Sequence, residues 1–161
     1  MLRPIFILLP PLLVFGLYHL LAWINVGGFQ RRSWWKRVGM ASATAHTLMA
    51  FGLLIVFFLD YRSMGSLTAP GAGLSTFILG SAEFWQMVVV FDTVAAGVLA
   101  ALLAGLDYVG LGAGPILPVT VLVVLIVGGA QWYLIGGGVG ALVERVWSGL
   151  KTQDEDGPDW L

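Results

Sequence analysis

Apolar residues gather into four long runs, 5–24, 38–59, 85–106 and 116–138, and charge, glycine and proline collect between them. Each run is about 20 residues long, the length at which a helix crosses the hydrocarbon core of a bilayer. None alternates with period two, which argues against a membrane β-barrel. The pattern predicts an all-α, polytopic transmembrane bundle. Four spanning helices are expected within residues 1–140, with an amphipathic extension and acidic tail over 141–161.

The first run is longer than the 7–15 apolar residues of a signal peptide. One positive charge, Arg3, precedes it, and no small-x-small cleavage site comes before Trp23. A retained helix is the expectation, with a kink or late start at Pro10 and Pro11. The next connection, NVGGFQRRSWWKR over 25–37, reads as a short polar turn with four cations and two tryptophans. A longer connection begins MGSLTAPGAG, and a glycine-rich turn at 107–114 leads to Pro115 and Pro118, which suit a helical first turn. Beyond Gly140, the residues Leu142, Val143, Val146, Trp147 and Leu150 share one face, a pattern suited to the headgroup level.

Composition strengthens the membrane reading. Hydrophobic residues make up 58% of the 161, charged residues only 11%, and mean hydropathy is +0.90. A soluble domain carries about 45–50% apolar and about 25% charged residues. Net charge is −1, so no basic field for nucleic acid exists, and zero cysteines exclude disulfides and thiolate metal sites. Lys and Arg give a tied orientation count. Arg31, Arg32, Lys36 and Arg37 lie in the first turn, against Arg3, Arg62, Arg145 and Lys151 on the other side. The first set is packed beside two helix ends, where the positive-inside bias acts most strongly. The expectation is a multi-pass protein of a bacterial inner membrane, with turn 25–37 cytoplasmic and both termini opposite.

Ionisable groups inside the runs are the informative exceptions, since a charge at the centre of a bilayer costs about 2.5–3.5 kcal/mol on insertion scales. They are His19, His46 and Asp92; Glu83 sits at an edge, and Gln131 is a neutral group able to bond across helices. His19 lies about 9 Å and His46 about 12 Å from the same membrane face at 1.5 Å per residue. Two imidazoles at similar depth on neighbouring helices can ligate a haem iron or form half a metal site. The plainer alternative is a hydrogen-bonded histidine near a helix end, with Ser42 one turn before His46 as its partner. Asp92 reads either as a proton or ion relay or as an acid hydrogen-bonded across a packed interface. No Lys or Arg in any run is placed to meet it, which points to a partner from another subunit.

Small residues mark docking faces. Thr93, Gly97, Ala101 and Gly105 form one stripe beside Ala96, Ala100 and Ala104, and Gly128, Trp132, Gly136 and Gly140 share a face of the last run. The spelling GGGVG follows no strand and meets no phosphate-loop spacing. No protease, hydrolase or zinc constellation is present, so the chain is not read as an enzyme.

Three functions compete on this reading. The leading one is a small structural subunit of a larger membrane complex, in contact with lipid and other transmembrane subunits, with Trp160 and Leu161 as a peg at the end of the acidic tail. It needs no cofactor. The second is an electron-transfer subunit holding haem b between His19 and His46, its propionates met by the first-turn cations. The third is an oligomeric transporter or channel with Asp92 on the path, although neither an inverted repeat nor a pair of discontinuous helices is evident.

Overall fold

A computed structural model describes residues 3–65, 78–108 and 116–155. All regular structure among them is helical: α1 (Arg3–Ile24), α2 (Trp34–Asp60), α3 (Ala82–Phe91), α4 (Thr93–Tyr108), α5 (Ile116–Val123) and α6 (Gly129–Glu155). A 3-10 turn, Val26–Arg31, joins α1 to α2, and π-helical turns occupy Tyr61–Gly65 and Val124–Gly128. Most of the second connection, most of the glycine-rich turn and the tail with Trp160 and Leu161 lie outside the described residues.

Among the described residues, two stretches are long and apolar enough to cross a membrane, Trp34–Ser63 and Leu117–Gly149. Only 28% and 22% of their most apolar windows is buried, whereas the core helix of a soluble protein would be mostly buried. Leu9–Ile24 and Thr93–Gly105 are apolar but shorter. Pro10 and Pro11 lie inside α1 without ending it. The amphipathic stretch after Gly140 is the continuation of α6, with Leu142, Val143, Val146 and Trp147 all exposed.

The chain divides into two compact units, Met1–Ala45 with Trp132–Leu161, and His46–Gln131. In the first, Asn25 (φ 48°), Gly27 (φ 54°) and Gly28 (φ 70°) take left-handed conformations, which asparagine and glycine adopt most readily. Asn25 Oδ1 accepts from the Gln30 N–H at 3.0 Å, and Gln30 Nε2 donates to the Ala22 carbonyl at 2.7 Å, tying the turn to α1. Phe29 is fully buried, edge-on to Tyr18, whose ring also meets Trp34. Glycine then lets α6 approach α2. A Cβ at Gly140 would stand 2.8 Å from the Trp35 Cα, and one at Gly136 would overlap the Ser42 side chain.

The second unit has an apolar core of Phe57, Ile78, Phe84, Val88 and Leu99, with Leu117, Val123 and Val124 against it. Ser81 caps α3 by accepting the Phe84 N–H at 3.2 Å. Val88, Asp92, Ala95 and Leu99 form the buried side of α3 and α4, at spacings of four, three and four. Gly97, Ala101 and Gly105 are exposed, and a Cβ at Gly97 or Gly105 would meet nothing within 4 Å. Ala100 and Ala104, reached by counting in fours from Asp92, are exposed too. Each step of four turns about 40° past a full helical revolution, so the count walks off the buried face.

Candidate functional site

One buried polar cluster in the second unit brings together residues from three parts of the sequence. His46 comes from α2, Asp92 from the junction of α3 and α4, and Gly128 from the π-helical turn before α6. His46 is 2% and Asp92 4% exposed. His46 Nε2 stands 2.9 Å from each oxygen of the Asp92 carboxylate. A proton between such groups is shared by a donor and an acceptor already in contact. The partner of Asp92 is therefore an imidazole of the same chain, which a search confined to Lys and Arg passes over.

Local backbone geometry places the carboxylate. Asp92 breaks the helix with φ −134° and ψ 56°, although its N–H still reaches the Val88 carbonyl at 2.8 Å and its own carbonyl receives the Ala96 N–H at 2.8 Å. The first N–H groups of a helix lack intrahelical acceptors. Gln131 supplies one: its Oε1 accepts the Val94 N–H at 3.1 Å. Thr93 Oγ1 donates back to the Val89 carbonyl at 3.2 Å, spanning the interruption. A discontinuous helix therefore exists here, where the sequence pattern gave no sign of one.

The third side is closed by backbone. A Cβ on Gly128 would lie 2.5 Å from Asp92 Oδ1 and 2.8 Å from His46 Nε2, so only glycine leaves the pair undisturbed. Gly128 ends the π-helical turn Val124–Gly128, a distortion frequent at functional sites. Its place on the small-residue face is legible in the sequence; its contact with a charged pair is not.

His19 belongs to the first unit. It is exposed on α1, edge-on to Phe15 at 4.5 Å and to Tyr18 at 5.7 Å. Ser42, the candidate partner of His46, is buried against Gly136 in that first unit. Among the first-turn cations, Lys36 lies over the Trp35 ring at 5.2 Å and Arg37 over Trp34 at 5.6 Å. A further buried polar group, Thr120 on α5, is fully enclosed, and its Oγ1 has no hydrogen-bond partner among the described residues. Among those residues, no cluster of three His, Cys, Asp or Glu side chains suits a metal ion.

No family model matches the chain, and no curated protein or solved structure does so either.

Proposed function

We propose that the chain is a multi-pass integral membrane protein that carries an ion across the bilayer at the His46–Asp92 pair. The observation that supports this best is a buried carboxylate in contact with a buried imidazole at a break in an apolar helix. Ionisable groups inside membrane segments face the protein interior, pair with one another and mark ion or proton pathways. Discontinuous helices are the usual framework of such sites, because backbone irregular at membrane depth must be enclosed by protein. On this reading α1 and the broken α3–α4 pair supply two further spans beside α2 and the α5–α6 stretch. Arg31, Arg32 and Lys36, all exposed, then mark the cytoplasmic face of a bacterial inner membrane.

The test is flux into liposomes containing the purified full-length chain, read with an interior pH dye and with cation-sensitive dyes. Asp92→Asn, which keeps the side chain's size and removes its charge, should abolish the flux. Equal flux through wild type and Asp92→Asn would refute the proposal.

One observation favours a second reading, a subunit held among other membrane helices. The Gly97, Ala101 and Gly105 stripe is exposed with open space above it, the surface that close helix packing uses. Stoichiometric partners retained on gentle purification from native membranes, and lost in a Gly97→Leu/Gly105→Leu variant, would establish it. The haem alternative has less support, since His46 Nε2 is engaged by Asp92 and His19 stands exposed in the other unit.

A further inference from the structure

The transport reading leaves the ion unnamed, and the packing around the pair narrows it. A hard cation such as Ca²⁺ takes six to eight oxygen ligands and Mg²⁺ about six in near-ideal geometry. The pair offers one carboxylate, with both oxygens already 2.9 Å from His46 Nε2. On the side of Gly128 the backbone is so close that even one added methyl would fall 2.5 Å from Asp92 Oδ1. On that side no room is left for a cation between the carboxylate and the backbone. A proton needs only a donor and an acceptor in contact, which the pair provides.

Resting on that transport reading, we propose that the ion handled at His46–Asp92 is a proton, with Gly128 closing one side of the pair. The balance is simple. Neutral imidazole carrying its hydrogen on Nδ1, and carboxylate, together take one proton from hydronium, which leaves as water. The acquired proton sits on the carboxyl oxygen or on Nε2, and passes between them as one O–H bond breaks and one N–H bond forms. Release to water on the other side restores the starting pair.

The other titratable groups on these elements lie nine or more positions from the pair along the chain. α2 carries Lys36 and Arg37 ten and nine positions before His46, and after it no titratable side chain until Asp60, about 21 Å further along the axis at 1.5 Å per residue. Along α3 and α4 the nearest are Glu83, nine positions before Asp92, and Asp107 and Tyr108, fifteen and sixteen after it. From Ile116 through Gln131, the stretch that brings Gly128, there is none.

The experiment is an acid titration of the full-length protein in lipid nanodiscs, followed by the infrared carbonyl band of protonated carboxyl groups and by proton uptake. Wild type should take up one proton per chain that Asp92→Asn does not, and His46→Gln should shift that step. Replacing choline by sodium, potassium or magnesium at constant ionic strength should leave the step where it is. A step displaced by one of these cations would overturn the assignment, because the cation then competes for the carboxylate. Absence of any step lost in Asp92→Asn would overturn it equally. Should Asp92→Asn fail to fold, isotope labelling of aspartate in the wild-type chain identifies the band without a substitution. The two readings fail differently: cation competition with flux intact removes only the proton, and a cation-insensitive step without flux removes only transport.

Discussion

The two units use the same device on the same stretch of sequence and reach different ends. In the first, Gly136 and Gly140 let α6 lie against Ser42, Val38 and Trp35 of α2. In the second, Gly128 lets backbone lie against His46 and Asp92. The first seam joins mainly apolar surface and gains dispersion contacts and area removed from solvent. The second encloses an ionisable pair, whose burial is costly unless each member holds the other. Removal of glycine from the first spoils a fit, whereas removal from the second also parts two groups that depend on contact.

The largest effect expected on this contrast is at Asp92. Asp92→Leu leaves His46 buried without its carboxylate and should destabilise the protein by about 3–5 kcal/mol, as loss of one partner of a buried pair does. The double variant His46→Leu/Asp92→Leu should recover most of that loss in thermal unfolding in detergent. No recovery would mean that the pair is not coupled, and the contrast would fall.

Next come the glycines. Gly128→Ala and Gly140→Ala should each cost about 1–3 kcal/mol, as overpacking does. Only Gly128→Ala should also alter the carboxyl band of Asp92, so infrared spectra of the two variants separate a packing seam from a chemical one. Smaller still are the helix-entry contacts of each unit. Loss of the Ser81 cap in Ser81→Ala should cost about 1 kcal/mol. Asn25→Ala, at a left-handed position, should cost a similar amount, and Asn25→Gly much less.

The smallest effect is expected where no seam exists. Gly97→Ala and Gly105→Ala fill open space and remove a flexible residue from a helix, so each should stabilise the isolated chain by about 0.5–1 kcal/mol. A loss of stability in native membranes, absent from the purified chain, would reveal a partner helix on that face.

Helix positions were legible because long apolar runs at lipid-spanning length admit few other structures. The seam at Gly136 and Gly140 was legible for a related reason: spacing by four keeps two glycines on one side of a helix. Asp92 and His46 stood out as ionisable groups in apolar runs. Their mutual contact did not, because equal depth from one membrane face matched His46 with His19, and depth along straight helices says nothing of which sides meet. Nor did the break at Asp92 show itself, since no proline or glycine marks it. Its backbone geometry accompanies contacts from distant sequence, from His46 on one side and Gln131 on the other.

The acceptor for the Val94 N–H lies 37 residues downstream. A ribosome making this chain completes Asp92 and Val94 well before Gln131 exists, and Gly128 is likewise still to come. The interrupted helix thus begins its life without the amide that tethers it, free to form an unbroken rod. The His46–Asp92 pair stays open on one side until Gly128 emerges, so a chain truncated before that glycine lacks the backbone that closes it.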